Sequence, residues 1–375
     1  MSKLKLVTII GTRPEAIKLS ETLKKCDLFF EHILVHTGQN FDYELNQIFF
    51  EELGIRKPDY FLNIIEGHLG ERMGQIISKT YEVLSNEKPD AVMILGDTNS
   101  GLSSIAAKRL KIPVFHLEAG NRSFDENLPE EINRRIIDHS SDINIAYTEH
   151  ARRNLISEGV PKDRLFVSGS PMNEIICKHK NTFENSTILE KLDIQKNKYF
   201  VLSTHREENV DVKENFASIV KSVNNLISNF NYPVIFGVHP RTLEKLNELN
   251  IKLDDKVITS KPFGFFDYMK LQINAACVIS DSGTLAEESS LLGFKAVSLR
   301  TSTERPEVID TGTMTISQLT PNSIEQAVRF SLFESIERVE KDVPIEYTTR
   351  TFSTKIINII QSYTPYVNKN VWKKI

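Results

Sequence analysis

Short apolar runs alternate with amphipathic segments along almost the whole chain. Runs rich in β-branched residues predict buried strands, such as "LKLVTII", "AVMIL" and "PVFHL" in the first half and "YFVLST", "PVIFGV" and "CVISD" in the second. Segments between them, such as "ERMGQIISKTYEVL" and "EEINRRIIDH", have the spacing of amphipathic helices. This alternation is typical of parallel sheets covered by helices, so it predicts an α/β protein.

A polar stretch at residues 178–198, "KHKNTFENSTILEKLDIQKNK", interrupts the alternation and is interpreted as a linker. We therefore predict two Rossmann-like domains that face each other across a cleft, over residues 1–177 and 178–355. Residues 356–375 are predicted to form a helix and tail that could pack back on the first domain. The length of 375 residues is sufficient for two separate cores.

Composition and charge exclude several classes of protein. The 46 basic and 50 acidic residues nearly cancel, so the electrostatic footprint of a nucleic-acid-binding protein is not expected. The three cysteines, Cys26, Cys177 and Cys277, are odd in number and far apart, which favours a reducing compartment over a disulfide framework. The apolar runs are too short for a signal peptide or a membrane span. We expect a cytoplasmic protein with no nucleic-acid and no membrane partner.

The first predicted strand ends in a glycine turn that leads into a helix, in "VTIIGTRPEAIK". Pro14 suits the first turn of a helix, and Arg13 then lies at the positive helix end. Free backbone amides and a guanidinium at this place favour a phosphate or diphosphate, although an ordinary surface arginine is the alternative. The segment is neither a Walker A loop nor a G-x-G-x-x-G fingerprint, which argues against nucleotide hydrolysis and against NAD.

The segment "VISDSGTLAEESSLLG" repeats this design in the second half. The hydroxyl of Ser282 and the backbone amides of Gly283 and Thr284 could hold another part of an anion. Glu287 and Glu288 follow in the first helical turn, within reach of ribose hydroxyls. Their alternative role is a favourable interaction with the helix dipole, worth about 0.3 to 1 kcal/mol each. Two such helix starts, one in each predicted domain, together favour a bound nucleoside diphosphate.

Carboxylates collect near the ends of two predicted strands. Asp97 follows "VMIL" and Glu118 follows "PVFHL", so both should lie at the same edge of the sheet. Glu130 lies in the first turn of a helix that starts near Pro129. The alternatives are a helix cap or an Asx turn for Asp97, and a surface pair with Arg134 for Glu130. We predict that the three acids are directed into one cleft.

Metal binding does not explain these acids. The "HLE" at residues 116–118 resembles half of a zinc deaminase signature, but no P-C-x-x-C follows it. We expect no metal and no cofactor, and we expect His116 to lie at the edge of the core. His205 and His239 each follow a predicted strand of the second half, where they could contact phosphate or sugar or could simply complete turns.

Taken together, these residues resemble the non-hydrolysing UDP-N-acetylglucosamine 2-epimerase family, which is similar in fold to the glycosyltransferase-B enzymes. The motifs "GTRPEAIK", "GDT", "EAG.R", "PEE.NR", "HR.EN", "DSG...EE" and "TERPE" occur in family order between Gly11 and Gly312. The resemblance implies a homodimer that binds a UDP-sugar. It implies catalytic roles for Asp97, Glu118, Glu130 and His205, and substrate-binding roles for Arg13, Lys18, His239, Ser282, Gly283, Thr284 and Glu288.

Some segments depart from the usual family pattern. Thr284 replaces a second glycine, and "GQNFDYEL" replaces a segment that the family uses for allosteric binding of a second UDP-sugar. The segments "GNRSFDENLPEEINR", "SGSPM" and "HPRT" resemble the branch that converts UDP-2-acetamido-2,6-dideoxy-L-talose to UDP-N-acetyl-L-fucosamine for capsule or O-antigen. The alternatives are conversion of UDP-N-acetylglucosamine to UDP-N-acetylmannosamine, a glycosyltransferase, a glycosidase and a non-catalytic UDP-sugar sensor.

The chemistry of such an epimerase would explain the density of acids. The C2 proton of an N-acetylhexosamine is not activated by a neighbouring carbonyl. If UDP leaves C1 while C2 loses its proton, an unsaturated glycal forms, and readdition of UDP with protonation on the opposite face gives the epimer. This path needs a base, an acid and negative charge near C1, but neither NAD nor a metal. The sequence leaves open which acid removes the proton.

Overall fold

The structure is a computed structural model that describes residues 3–38, 43–65, 67–238, 252–337 and 342–374, with residues 242, 245, 246 and 248. The chain divides into two compact units, of which the first comprises Met1–Cys177 and Ile345–Ile375 and the second comprises Lys178–Pro344. The second unit therefore ends at Pro344 and not at the predicted residue 355. The reason is that Glu346, just after Pro344, is hydrogen-bonded to residues of the first unit. Its carbonyl oxygen accepts from the Ser170 amide, and its carboxylate accepts from the Glu149 amide.

Each unit contains one sheet whose paired strands are all parallel. The strands are β1 (Lys5–Ile10), β2 (Glu31–His36), β3 (Tyr60–Phe61), β4 (Ala91–Leu95), β5 (Val114–Leu117), β6 (Ile143–Ala146), β7 (Leu165–Val167), β8 (Phe200–Ser203), β9 (Val234–Gly237), β10 (Val257–Ser260), β11 (Cys277–Ser280), β12 (Ala296–Leu299) and β13 (Thr315–Ser317). The described strands are ordered β3-β2-β1-β4-β5-β6-β7 in the first unit and β10-β9-β8-β11-β12-β13 in the second. Both orders are those of a Rossmann fold, so the predicted α/β class with two Rossmann-like domains is confirmed.

The helices connect and cover these strands. They are α1 (Arg13–Phe29), α2 (Tyr43–Glu52), α3 (Leu69–Glu87), α4 (Ser103–Arg109), α5 (Pro129–Ser140), α6 (Glu149–Ser157), α7 (Met172–Glu184), α8 (Ile188–Lys191), α9 (Glu207–Val210), α10 (Lys213–Phe230), α11 (Phe265–Asn274), α12 (Leu285–Leu292), α13 (Glu307–Asp310), α14 (Pro321–Glu337) and α15 (Phe352–Asn370). Short 3₁₀ helices cover Asn99–Leu102, Lys162–Arg164 and Ile345–Thr348. None of the described helices combines the length and apolar composition needed to cross a bilayer.

Each sheet carries its own hydrophobic core, because the strands are buried on both faces. In the first unit, Val7 and Ile9 of β1 pack with Val92 and Ile94 of β4 in one cluster. In the second unit, strands β8, β9, β11 and β12 pack against α10 and α14 in a separate cluster. The C-terminal α15 belongs to the first unit and packs on α1. Its Ser353 amide donates to the buried Glu174 carboxylate at 2.8 Å, which fixes the start of α15.

The carboxyl edge of the first sheet brings distant segments together. Strand β4 pairs with β1 on one side and with β5 on the other. Because all three strands run in the same direction, the turn before Arg13, the end of β4 at Asp97 and the end of β5 at Glu118 lie at the same edge. The predicted placement of Asp97 and Glu118 at one edge of the sheet therefore agrees with the strand order.

Candidate active site

Glu118 and Lys18 form a buried ion pair at the carboxyl edge of the first sheet. Lys18 Nζ donates to Glu118 Oε2 at 2.6 Å, and their side chains are only 8% and 10% exposed. The Lys18 ammonium also lies 6.0 Å from the ring centroid of Tyr147. Two predicted site residues that are 100 positions apart are thus in direct contact. The pair fixes the orientation of the carboxylate, because a buried ion pair tolerates few alternative geometries.

The backbone of Glu118 has a φ of 63°, in the left-handed region that non-glycine residues rarely occupy. Such a conformation persists only where the surroundings hold it. Here Asp138 holds the following loop, accepting from the Gly120 amide at 3.2 Å and from Arg122 Nη1 at 2.8 Å. Arg122 is also held by Glu158 through two hydrogen bonds of 2.8 and 2.6 Å. Buried side chains therefore determine where Glu118 points.

His116 is a buried structural residue that links two strand ends. Its Nε2 lies 2.8 Å from the carbonyl oxygen of Gly96, and its Nδ1 lies 2.9 Å from Asp138 Oδ1. Gly96 immediately precedes Asp97, and His116 lies two positions before Glu118. The ring therefore joins the two strand ends that carry the predicted acids. It is more deeply buried than the core-edge position that the sequence predicted.

Asp97 is bound by Arg134 from helix α5. Arg134 Nη2 and Nε lie 2.6 and 2.8 Å from Asp97 Oδ2, and Asn133 Nδ2 donates to the Asp97 carbonyl oxygen at 3.0 Å. The Asp97 side chain remains 29% exposed, so solvent or a ligand can reach it. The helix-cap alternative does not apply, since Thr98 is the capping residue of the following 3₁₀ helix and accepts from the Ser100 amide.

Glu131, the neighbour of Glu130 on α5, is fully buried. It accepts from the Ser123 amide at 3.0 Å and from Arg134 Nη1 at 2.8 Å. Burial pushes its pKa up, but these hydrogen bonds outweigh burial and hold the pKa of Glu131 below its usual value. Surface pairing of Glu130 with Arg134 is therefore wrong, because Arg134 turns toward Glu131 and Asp97. Glu130 itself is half-buried and has no hydrogen bond or ion pair with the described residues.

The turn before α1 is organised by Glu15, which the sequence analysis did not single out. The buried Glu15 carboxylate accepts from the amides of Gly11 and Thr12 at 2.6 and 2.8 Å and from Thr98 Oγ1 at 2.5 Å. Burial raises the pKa of Glu15. The Thr12-x-x-Glu15 spacing is a capping-box signal that could have identified it. Arg13 is exposed at this turn, with its guanidinium carbon 4.9 Å from the ring centroid of Phe49.

Thr98 therefore connects the turn of Arg13 with the strand end of Asp97, and its hydroxyl can be tested separately. Thr98→Val keeps the shape but leaves a buried carboxylate oxygen of Glu15 without this donor. We expect the free energy of unfolding in urea to fall by about 1 to 3 kcal/mol. Thr98→Ser keeps the hydroxyl and should lose less than about 0.5 kcal/mol. Equal losses in the two variants would show that the hydroxyl does not contribute.

In the second unit, Asp281 organises the ends of β8 and β11. It is fully buried and accepts from Thr204 Oγ1 at 2.8 Å, from the amides of His205 and Arg206 at 3.0 Å each, and from Asn209 Nδ2 at 2.9 Å. The Nδ1 of the exposed His205 ring lies 2.9 Å from Asp281 Oδ1. Burial would raise the pKa of Asp281, but His205 and the donated hydrogen bonds hold it well below its usual value.

The turn after Asp281 leads into α12 as the sequence predicts. The Ser282 amide donates to Ser280 Oγ, and Ser282 Oγ lies 3.1 Å from Thr284 Oγ1. Thr284 directly precedes α12, so the amides of Gly283 and Thr284 belong to the helix start. A helix start of this kind attracts anions, because its backbone N–H groups and its dipole favour negative charge.

Both glutamates in the first turn of α12 are buried. Glu287 is fully buried, with Arg305 Nη2 3.8 Å from its Oε1. Glu288 is buried as well and accepts from Gln272 Nε2 at 2.9 Å.

His239, the remaining predicted site residue, lies outside the described residues. The described residues also contain no group of three His, Cys, Asp or Glu side chains that could hold a metal ion.

Comparisons with known proteins identify the family of this chain. The family model described as UDP-N-acetylglucosamine 2-epimerase matches residues 23–361. A solved UDP-N-acetylglucosamine 2-epimerase from Rickettsia bellii is 46% identical, with a TM-score of 0.93 over 99% of this chain and 100% of that one. The Methanocaldococcus jannaschii UDP-GlcNAc 2-epimerase, solved in complex with UDP-GlcNAc and UDP, is 34% identical, with a TM-score of 0.88 over 96% of this chain and 100% of that one.

A relative with another substrate is also similar. The Pseudomonas aeruginosa protein named UDP-2,3-diacetamido-2,3-dideoxy-D-glucuronate 2-epimerase is 35% identical over 340 residues, which are 89% of this chain and 94% of the relative. All three proteins are named 2-epimerases, and only the Pseudomonas aeruginosa protein is named for a sugar other than N-acetylglucosamine. The family predicted from the motifs is thereby confirmed: the chain belongs to the UDP-N-acetylglucosamine 2-epimerase family.

Proposed function

We propose that the protein interconverts UDP-N-acetylglucosamine and UDP-N-acetylmannosamine by inverting C2 of the sugar. The observation that carries the proposal is the edge of the first sheet, where Lys18 binds Glu118 and Arg134 binds Asp97 at adjacent strand ends. Two oriented carboxylates near one another can serve a reaction that removes a proton and returns one. The product would supply an N-acetylmannosamine unit for polysaccharide biosynthesis.

The choice of sugar follows the relatives and not the variant motifs. The Rickettsia bellii and Methanocaldococcus jannaschii proteins are described as epimerases of UDP-N-acetylglucosamine. This description favours UDP-N-acetylglucosamine, which the variant motifs had made the alternative substrate. The 6-deoxy-L-talose substrate rests only on "GNRSFDENLPEEINR", "SGSPM" and "HPRT", so it stands as the second candidate.

The first unit would carry the proton transfers. One carboxylate among Asp97, Glu118 and Glu130 takes the C2 proton while the bond between C1 and the UDP oxygen breaks and a C1–C2 double bond forms. Another carboxylate then gives a proton to C2 on the opposite face, and the UDP oxygen bonds again to C1. Lys18 and Arg134 hold two of these acids in position. The negative charges also stabilise the positive charge that develops at C1.

The second unit would hold UDP while it is detached from the sugar. The exposed His205 ring is oriented by Asp281, and it can contact the departing diphosphate. The Ser282 hydroxyl and the amides of Gly283 and Thr284 supply further donors at the start of α12. We propose a ribose contact for Glu288 and phosphate or sugar contacts for His239 and for Arg13 of the first unit.

Proton NMR in heavy water tests this function. The protein is incubated with UDP-N-acetylglucosamine, and the C2 proton signal is expected to disappear while UDP-N-acetylmannosamine appears. UDP-2-acetamido-2,6-dideoxy-L-talose in a parallel sample decides the sugar, because exchange in that sample alone would refute the choice of N-acetylglucosamine. Binding of UDP without C2 exchange in either sample would instead identify a sensor, and transfer only with an added acceptor would identify a glycosyltransferase.

We also propose that the protein is a homodimer. Helix α5 exposes Ile132 and Ile136, one turn apart, at 52% and 37% of their surface. An apolar stripe of this kind on a helix is suited to burial against another chain. Light scattering of the purified protein would give the molar mass of the assembly, and a monomer mass would contradict the proposal.

A cytoplasmic location is part of the same proposal. All three cysteines, Cys26, Cys177 and Cys277, are free thiols. Free thiols are usual in a reducing compartment, whereas oxidising compartments favour disulfides.

A further inference from the structure

Arg300 is a buried arginine that lies outside the sequence motifs described above. It directly follows β12, and its side chain is 4% exposed. Its Nε donates to the carbonyl oxygen of Asp281 at 3.0 Å, and its Nη1 is paired with the carboxylate of Glu304. Its Nη2 is buried and has no hydrogen-bond partner among the residues that the structure describes. A buried N–H donor of this kind is unfavourable unless an acceptor reaches it.

The unpaired Nη2 lies beside the Ser282–Gly283 turn. A Cβ atom at Gly283 would be 3.4 Å from Arg300 Nη2 and 3.4 Å from Glu304 Oε1. Gly283 is not in the left-handed region, so its backbone does not itself require glycine. The space that a side chain would occupy at this position is therefore bordered by the guanidinium of Arg300 and the carboxylate of Glu304.

We propose that Arg300 Nη2 donates a hydrogen bond to a phosphate oxygen of UDP bound at the Ser282–Gly283 turn. The inference rests on the proposed function for the identity of the nucleotide. Two partners hold the guanidinium, the Asp281 carbonyl oxygen at Nε and Glu304 at Nη1, so that Nη2 is presented in a fixed direction. A lysine could not make all three contacts, because its ammonium has no planar fork. Glycine at position 283 then leaves room for the diphosphate to approach.

The test compares the affinities of UDP and uridine. In Arg300→Gln we expect UDP to bind about 10- to 100-fold more weakly, the range for losing a hydrogen bond between charged groups. Uridine, which lacks phosphate, should bind within about twofold of the unsubstituted protein. Calorimetry measures the affinity for UDP, and ligand-observed NMR measures the affinity for uridine. Arg329→Gln is the matched control, since Arg329 is an exposed arginine of α14 paired with Glu325, and it should leave both affinities unchanged.

Two further variants keep the inference testable if Arg300→Gln does not fold. Arg300→Lys retains the charge but not the planar geometry of the guanidinium, and it should also weaken the binding of UDP more than the binding of uridine. Gly283→Ala places a methyl group against Nη2 and should weaken the binding of UDP. When it is combined with a substitution of Arg300, little further affinity for UDP should be lost. Equal weakening of UDP and uridine in the Arg300 variants would assign Arg300 a purely structural role and overturn the inference, as would unchanged UDP affinity.

Failure of this inference can be distinguished from failure of the proposed function. UDP affinity that depends on Arg300, in a protein that shows no C2 exchange, would support the phosphate contact and refute epimerisation. C2 exchange in a protein whose UDP affinity does not depend on Arg300 would refute the contact and support epimerisation.

Discussion

Amide substitution of the three acids of the first unit is expected to abolish most of the C2 exchange. In Asp97→Asn, Glu118→Gln and Glu130→Gln the side chain keeps its size but loses the ability to take or give the proton. A positioned acid or base contributes about 10² to 10⁴ in rate, so each variant should lose activity in this range. The measurement is the rate of deuterium incorporation at C2 of UDP-N-acetylglucosamine, followed by proton NMR.

Two neighbouring glutamates provide controls for this prediction. Glu126 is exposed in the same stretch and pairs with Arg135 at 3.4 Å, so Glu126→Gln should exchange at the unsubstituted rate. Glu131 is buried and holds Arg134, so Glu131→Gln is expected to lower stability as well as activity. UDP affinity should be retained in the three acid variants, because none of these acids is among the proposed contacts with UDP. Unimpaired exchange in any of the three variants would remove that residue from the mechanism.

Asp281→Ala is expected to lower the free energy of unfolding of the second unit by about 3 to 5 kcal/mol, the cost of removing one partner from a buried charged network. The substitution removes the common acceptor of Thr204, Asn209 and two backbone amides, which then remain buried without it. It also removes the partner that orients His205. Urea denaturation followed by the circular dichroism signal measures the loss. Asp255→Ala, at an exposed position of the same unit, should lose less than about 0.5 kcal/mol.

The contribution of Asp281 to the free energy of unfolding should decrease in acid. The pKa of Asp281 is held low in the folded protein, whereas an unfolded aspartate has a pKa of about 3.9. The stabilisation is therefore complete above this unfolded value, and it is lost as the pH falls below it toward the lower pKa of the folded state. The difference in unfolding free energy between the protein and Asp281→Ala should shrink over that range. A difference that stays constant in acid would contradict the role of the ionised carboxylate.

The site residues differ in how far they could be predicted. The placement of Asp97 and Glu118 at one edge of the sheet was predictable because each follows an apolar run, and parallel strands place their carboxyl ends at one edge. Glu15 could have been found from the capping-box spacing after Thr12. The partners of these acids could not be predicted, since Lys18 and Glu118 are 100 positions apart and meet only because β1, which α1 follows, and β5 both pair with β4.

Helix α5 shows why some local predictions were wrong. Spacing along the helix allowed Glu130 to pair with Arg134 on the surface. In the structure Arg134 turns to Asp97 and Glu131, because the same helix packs beside the 3₁₀ helix that follows β4. A pair of residues four positions apart can interact, but the neighbouring segment decides whether it does.

The sequence by itself determined the α/β class, the two Rossmann-like units and the turns that precede α1 and α12, because these depend on the periodicity of apolar residues and on turn residues that are adjacent in the chain. Only the tertiary structure decided that Asp281 joins the ends of β8 and β11, that Arg300 reaches the Gly283 turn, and that the chain beyond Pro344 returns to the first unit. These features depend on which strands become neighbours and on which side chains are buried together. Contacts between residues far apart in the chain form only when the sheets have assembled.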